Sequence, residues 1–579
     1  MAKNALLGAL ALIFVGDVLA WSVQTDLGAI DVQDVRWQDG DGKTLSALLY
    51  VPPGATAESP APGVLAVHGY INSRETQDGF AIELARRGFV VLALDQTGHG
   101  FSDPPAFRAG FGGPAGLSYL RSLDFVDGDN VGLEGHSMGG WAVLIAAAGA
   151  PDDYRAVVIE GSSTGSSGAP DATDDWPRNL AVVFSKYDEF SGGMWGSPVA
   201  ADVPASEKLR AAFGTDAPVE PGRIYGSVDD GTARIFWQPP VTHPADHFST
   251  RAIGHAIEWL QTTLDGERPL PASDQVWYWK EVGNLIALLG MVLLILAVGD
   301  LLLDTPFFRP LVREVPPSKG ATGAAWWGAA FLFAVLPAVT LFPFKDLGGS
   351  IPVSALFPQA ITTHVMAWAV LVGVLSAVLF GVWHLRVGRR QGATWRDYGV
   401  TVGKGQTATH VARSLLLALL VVGAAYVSLL VSSAVFTVDY RFWVFAVKPM
   451  GAHHGRAWLS YVVPFVLFFL VYGVVLFGQL RRDGSAATST LRTMAVSILG
   501  FVGLIAFQYT PLFLGGTLAI PGEALWSIIA FQFVPIMAIV GLVTAHFQRR
   551  TASVWPAAFL SGFLVTWIVV ASQATHYGG

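Results

Sequence analysis

The sequence has no cysteine in 579 residues, and only 14% of its residues are charged, where soluble globular proteins carry about 25%. The first absence excludes a disulfide framework, a thiolate nucleophile and any zinc site built on cysteine. The second argues against a single large soluble body. With 52% apolar residues and a mean hydropathy of +0.47, the chain is too apolar for a disordered or collagen-like polymer. Its net charge of -8 offers no basic surface, so no nucleic-acid partner is expected. The expected partner is a lipid bilayer.

The charge that is present is unevenly placed. From Gln24 to Glu281 there are 35 acidic and 17 basic residues, a net of -18, and the remainder of the chain has a net of +10. This divides the sequence into an N-terminal anchor (1–23), an acidic soluble domain (24–281) and a basic membrane domain (282–579). A helix needs roughly 20 mostly apolar residues to cross the hydrocarbon core. The C-terminal part supplies eight such runs, at Leu285–Leu303, Ala324–Leu341, Thr363–Leu385, Ser414–Phe436, Trp458–Leu480, Met494–Tyr509, Leu525–His546 and Trp555–Ala571. A ninth, Ala5–Val23, opens the chain. Its apolar stretch continues past Asp17 and has a poor small-x-small cleavage pattern, which favours an uncleaved anchor over a signal peptide.

Short cytoplasmic loops are enriched in Lys and Arg. Nine spans with the N-terminus inside put fifteen basic residues on the cytoplasmic side: Lys3, Arg309, Arg313, Lys319, Arg386, Arg389, Arg390, Arg396, Lys404, Arg413, Arg481, Arg482, Arg492, Arg549 and Arg550. Four remain outside: Lys345, Arg441, Lys448 and Arg456. The expectation is a multi-pass protein of the cell membrane with its soluble domain and C-terminus extracytoplasmic.

Between Asp31 and Leu264 short apolar runs alternate with helical patterns, the mark of an α/β fold with a mostly parallel sheet flanked by helices. Val35–Trp37 and Leu45–Val51 flank the turn Asp39-Gly40-Asp41-Gly42 and read as a hairpin. Further strands are expected at Gly63–Val67, Phe89–Asp95, Val131–Glu134, Ala156–Glu160, Leu180–Phe184 and Ala233–Trp237. One strand runs into Gly135-His136-Ser137-Met138-Gly139-Gly140 and then the helical run Trp141–Ala148, which is G-x-S-x-G between strand and helix. Small residues on either side let the chain turn sharply and present the Ser137 hydroxyl at a helix N-terminus.

In these motifs residues 31–264 resemble the α/β-hydrolase family. Ala66-Val67-His68-Gly69-Tyr70 is similar to its oxyanion loop, and Asp95-Gln96-Thr97-Gly98-His99-Gly100-Phe101-Ser102 to its D-x-x-G-H-G-x-S loop, read here as structural. Ser, Asp and His follow in the family's chain order. The resemblance implies a serine hydrolase, because a serine hydroxyl needs an imidazole to take its proton and an acid to orient that imidazole. Its acid lies just past the strand Leu180–Phe184, which makes Asp188 the first choice, with Glu189 as the alternative. Its base lies in the loop before the last helix, upstream of the cap at Ser249, which favours His243 over His247. The N–H groups of Tyr70 and Met138 are the implied oxyanion donors. His68 and His136 flank the pocket without a proton-transfer role.

No metal and no cofactor is expected. His243 and His247 have helical ligand spacing, but Pro244 and the expected loop disfavour a helix there, and His453-His454 reads as a solvated pair in an outer loop. The substrate is expected to be an ester, thioester or amide of a lipid, a cell-envelope component or a small molecule. Phe190–Asp230, with helical Ser206–Phe213, is expected to shape the pocket. Two alternatives remain: a transporter or channel with an accessory hydrolase domain, and a non-catalytic binding module on a hydrolase fold. Against transport, the spans carry few ionisable groups near their centres and the chain has no phosphate-binding loop.

Overall fold

The computed structural model describes residues 2–266, 268–403 and 405–578. Lys404, one of the fifteen basic residues counted above, lies outside them. The acidic half folds around an eight-stranded sheet. Strand β1 (Asp31–Gln38) pairs antiparallel with β2 (Thr44–Val51). The turn between them closes because Asp39 Oδ1 accepts the N–H groups of Asp41 and Lys43. The other strands are β3 (Ala61–Val67), β4 (Val90–Asp95), β5 (Val126–His136), β6 (Ala156–Glu160), β7 (Leu180–Val183) and β8 (Arg234–Trp237). The order is β1-β2-β4-β3-β5-β6-β7-β8, and every pair from β4 to β8 is parallel.

Parallel strands need crossover helices, and these cover both faces, so the strands are buried on both sides and read as apolar runs. Asp78–Arg86 and Thr250–Thr263 pack on one face, through Phe80, Leu84, Ile253 and Ile257. Gly113–Arg121 and Met138–Gly149 pack on the other, through Leu117, Leu120, Val143 and Leu144. The Ser249 hydroxyl caps Thr250–Thr263 by accepting the Ala252 N–H, as its position suggests. The mostly parallel sheet between helices is the α/β-hydrolase architecture anticipated from the sequence.

The basic half is helical apart from a short hairpin of β9 (Tyr440–Phe442) and β10 (Phe445–Val447). Each of the nine apolar runs falls on helix, with Ala324–Leu341 divided by a break at Thr340. Seven helices among the described residues are long and apolar enough to cross a membrane, or eight if the pair Gly323–Val339 and Leu341–Gly348 counts as one span. That pair bends by 48° just after Pro337, where the helix loses a backbone donor. Trp555–Ala571 differs from the other eight. It has 17 residues, about 25 Å at 1.5 Å per residue, and packs almost entirely inside the bundle. Outward faces carry exposed Leu7, Phe331, Leu459 and Leu491, which is the reverse of a water-soluble bundle.

Ala2–Gln24 lies against Tyr278–Leu303 at very close range. A Cβ at Gly16 would fall 2.5 Å from both Gly283 O and Ala287 N, and one at Gly290 would meet Ile13 N at 2.8 Å. Small residues on both helices permit this approach. Two expectations are corrected here. His243–Phe248 is a short 3-10 helix rather than a loop, because Pro244 sits at its start, where a missing N–H costs nothing. His453 and His454 are not solvated: both are buried in the first turn of Ala452–Val474, with their Nε2 atoms 3.1 Å apart.

Candidate active site

The carboxyl ends of β3, β5, β7 and β8 converge on one edge of the sheet, where ligands of open α/β sheets bind. Ser137 follows β5 directly and has φ +53° and ψ -118°, a strained conformation for a residue with a side chain. Its neighbours must be glycine: a Cβ at Gly135 would lie 2.3 Å from Gly139 O, and one at Gly139 only 1.9 Å from Val67 O. The turn is held by Ser137 N–H donating to Glu160 O at 2.8 Å, Gly140 N–H to Ser137 O at 3.0 Å and the Ser162 hydroxyl to Ser137 O at 2.6 Å. Ser137 itself is half-buried and lines a cavity of about 550 Å³.

His243 lines the same cavity, and its Nδ1 meets Asp188 Oδ2 at 2.8 Å. Asp188 Oδ1 accepts the Phe190 N–H at 2.7 Å, and the Phe190 ring packs edge-on against the imidazole at 4.6 Å. Burial lowers His243 to about 4, so its Nε2 is a free lone pair at neutral pH, the state a general base requires. Burial, with Asp246 adding to it, raises Asp188 above the ordinary carboxylate range. Ser137 Oγ makes no hydrogen bond to His243 among the described residues, a contact that often tightens only when substrate is bound.

Glu189 stands beside the pair with a different task. Its Oε2 accepts the backbone N–H of His243 at 2.8 Å, and its Oε1 accepts the hydroxyl of Tyr509 from Ala486–Phe513 at 2.7 Å. Burial, followed by the Asp188 charge, raises it to about 8. It is therefore neutral at pH 7 and holds the backbone of His243 rather than facing its ring, where Asp188 is in contact and Asp246 acts from further off. His247 also lines the cavity, but it packs on His136 with ring centres 4.0 Å apart, and neither of its nitrogens has a hydrogen-bond partner among the described residues, so no acid orients it. His136 Nε2–H donates to His243 O at 3.0 Å, a brace on the base rather than a proton route.

Tyr70 and Met138 both line the cavity. Met138 opens its helix, so its N–H has no intrahelical acceptor. His68 holds the Ala66–Tyr70 loop: Gln96 N–H donates to its Nε2 at 3.1 Å, which leaves its Nδ1–H to donate to Gly69 O at 2.7 Å. The Asp95–Ser102 loop is braced internally, with Asp95 accepting the N–H groups of Arg74 and Phe101. Phe190 and Met194 are the part of Phe190–Asp230 that reaches the cavity.

The sequence reading missed the far wall. Ile361, Leu525, Ile528, Ile529, Phe533 and Ile568 come from apolar helices, and β9, β10 and their flanks add Arg441, Trp443 and Lys448. Arg441 and Lys448 are two of the four cations that the charge bias leaves outside, and that exception was the available signal. The segment after the last helix also reaches the site. Thr575 exchanges backbone hydrogen bonds with Gly98 and Ala106 at 2.8 Å. His576 accepts Ala360 N–H on Nδ1 at 3.3 Å, so its Nε2–H faces the Tyr70 hydroxyl at 3.1 Å.

The family described as alpha/beta hydrolase fold matches residues 62–194. Among solved structures the chain is similar to a hypothetical protein from Pseudomonas aeruginosa, at 26% identity and a TM-score of 0.21 over 23% of this chain and 43% of that one. It is also similar to an esterase of Pyrobaculum calidifontis (16% identity, TM-score 0.31, 45% and 92% of the two chains). A third is an esterase of Pyrococcus furiosus (16%, 0.29, 41% and 95%). The chain thus spans less than half the length of the first. No curated protein matches it. The sheet order and the family match over residues 62–194 together give the acidic half of this chain the α/β-hydrolase fold, with Ser137 on the sharp turn between β5 and the helix that follows.

Proposed function

We propose that the protein is a membrane-integrated serine hydrolase that cleaves ester, thioester or amide bonds through an acyl-enzyme, with Ser137 as nucleophile, His243 as base and Asp188 as its acid. The observation that carries this reading is the 2.8 Å contact of His243 Nδ1 with Asp188 Oδ2 at a cavity shared with Ser137 on its strained turn. In the first half-reaction the Ser137 Oγ–carbonyl bond forms as His243 Nε2 takes the hydroxyl proton. The oxyanion is met by Tyr70 and Met138 N–H groups. The bond to the leaving group then breaks as His243 returns the proton to it, and water repeats the sequence to release the acid.

The division into an anchor (1–23), a hydrolase domain (24–281) and a membrane domain (282–579) belongs to this proposal, as does the extracytoplasmic side. Its support is the sorting of loops. The basic segments around Arg313, Lys319, Arg481 and Arg550 join one another, through Arg313 N–H to Arg550 O and Lys319 to Asp397. The other end of the bundle meets the hydrolase domain through Tyr509, Arg441 and Lys448. That distribution fits a cytoplasmic basic face. Apolar walls beside Ser137 favour lipid or envelope substrates delivered from the bilayer.

The test is labelling of the full chain in nonionic micelles by a fluorophosphonate. Label is expected on wild type and absent from Ser137→Ala. Equal labelling of the two proteins would overturn the assignment.

A further inference from the structure

The acidic half has a net of -18, yet no carboxylate lines the Ser137 cavity among the described residues, and two cations do, Arg441 and Lys448. The two are not equivalent. Arg441 is committed to carboxylates: it pairs with Asp439 and reaches Glu75 at 3.4 Å. Lys448 is only 6% exposed, and its ammonium donates a single hydrogen bond, to Ser73 Oγ at 3.0 Å. No carboxylate lies within 4 Å of it among the described residues; Glu75, bound to Arg74, Ser73 and Arg441, acts on it only through Ser73 and from further off, as do Asp439 and Asp95. An ammonium has three N–H donors, and a buried charge with no counter-ion in contact is costly. Burial lowers the Lys448 pKa accordingly, and an anion placed against it would reverse that.

The remaining wall is hydrocarbon. Ile528, Ile529 and Phe533 project from Ala524–Thr551, Ile361 from Ala360–Trp383 and Ile568 from Trp555–Ala571. A ligand that satisfies both walls has an anion at one end and an alkyl chain at the other.

We propose that the cavity takes an anionic amphiphile, with a phosphate or carboxylate head on Lys448, a hydrocarbon chain along the Ile528, Ile529 and Phe533 wall, and the scissile carbonyl between them at Ser137. This rests on the reading of Ser137 as nucleophile. It names the ligand class that reading leaves open.

The test uses full-length protein in nonionic micelles and a matched pair of esters, 1-oleoyl lysophosphatidate and 1-oleoylglycerol, which differ only in the phosphate. Wild type is expected to favour the phosphate ester at least tenfold in kcat/KM. Lys448→Met should cut that ratio at least tenfold, and Lys448→Arg should retain most of it. A binding arm needs no turnover: dodecyl phosphate is titrated into Ser137→Ala and into the double variant with Lys448→Met, followed by fluorescence of the cavity tryptophans Trp141 and Trp443. Tight binding that depends on Lys448, with weak binding of dodecanol and of inorganic phosphate, supports the proposal. A ratio near one in wild type with no Lys448 dependence of binding overturns it, as does inorganic phosphate binding as well as dodecyl phosphate. Absence of fluorophosphonate labelling alongside Lys448-dependent binding would sink the hydrolase reading and leave the ligand class standing. Normal labelling with no Lys448 dependence would do the opposite.

Discussion

Replacing Asp188 with Asn separates the two acids next to His243. In the native arrangement Asp188 uses one oxygen for Phe190 N–H at 2.7 Å and the other for His243 Nδ1 at 2.8 Å. Asn can keep the Phe190 bond with its carbonyl, but its NH2 then faces Nδ1, which must become an acceptor. The imidazole proton moves to Nε2, where it blocks acceptance of the Ser137 proton. The lost charge matters separately. At roughly 4 Å and an effective dielectric near 20, a carboxylate stabilises an imidazolium by about 4 kcal/mol, and His243, lowered to about 4 by burial, has little capacity to charge without it. Loss of the acid in a serine triad costs about 10⁴ in kcat, or about 5 kcal/mol at 1.36 kcal/mol per decade. Asp188→Asn is therefore expected to lower kcat by about 10³ to 10⁴. Glu189→Gln keeps one of two acceptor positions and forfeits about one hydrogen bond, near 1 kcal/mol and about tenfold at most. The assay is p-nitrophenyl butyrate hydrolysis in micelles, with thermal unfolding as the check on folding. If Asp188→Asn stays within tenfold of wild type, or Glu189→Gln is the more damaged enzyme, the assignment of the acid is wrong.

The acid limb of kcat/KM is expected near pH 4, where His243 titrates: the base is neutral above that value and activity falls as pH drops through it, so a limb at the ordinary 6.5 would refute burial of the imidazole. Tyr509→Phe removes the 2.7 Å donor to Glu189, and kcat should fall about fivefold for about 1 kcal/mol; an unchanged kcat would show that this tether does not hold the base. Gly16→Ala places a Cβ 2.5 Å from Gly283 O, whereas Gly8 meets nothing nearer than a flexible leucine carbon at 3.9 Å. Thermal scans of the intact protein should show Gly16→Ala destabilised by about 1–3 kcal/mol and Gly8→Ala within about 0.5 kcal/mol of wild type; equal effects would refute the close helix approach.

The sheet was legible because buried parallel strands are short, apolar and bounded by turn signals. Ala156–Glu160 coincides with β6, and Ser249 occupies the cap that its spacing implies. Where polar residues interrupt a strand the reading stopped short: β5 begins at Val126, but Asp127, Gly128, Asp129 and Asn130 conceal its first half, which only pairing with β3 reveals. The candidates near the serine turn could be ranked only by their distance from a strand end or a helix cap, which puts Asp188 before Glu189 and His243 before His247. His243 and His247 differ in which of them the Asp188 loop reaches, a contact across 55 residues that no local pattern encodes. The far wall was illegible for the same reason. Ile529 reads as an ordinary span residue, and only the packing of Ala524–Thr551 against the hydrolase edge puts it beside Ser137.

That packing also explains why the site needs both halves. The seam between them is crossed by Arg441 to Glu75, Lys448 to Ser73 and Tyr509 to Glu189, and Lys280, in the first turn of the helix Tyr278–Leu303 that enters the bundle, pairs with Asp78 beside it, most of them buried. Buried ion pairs add little net stability against apolar packing, since desolvation offsets their attraction, but removing one partner is costly because it strands the other. Their consequence is register: sliding the bundle by one helical turn, about 5.4 Å, would break all four at once. The same seam holds His243 through Glu189 and the Ala66–Tyr70 loop through Tyr70 and His576. If Ser137, His243 and Asp188 act as proposed, the helices set their geometry as well as the wall that a substrate chain would meet, and a change in the bundle is expected to register first in kcat rather than in whether the sheet folds.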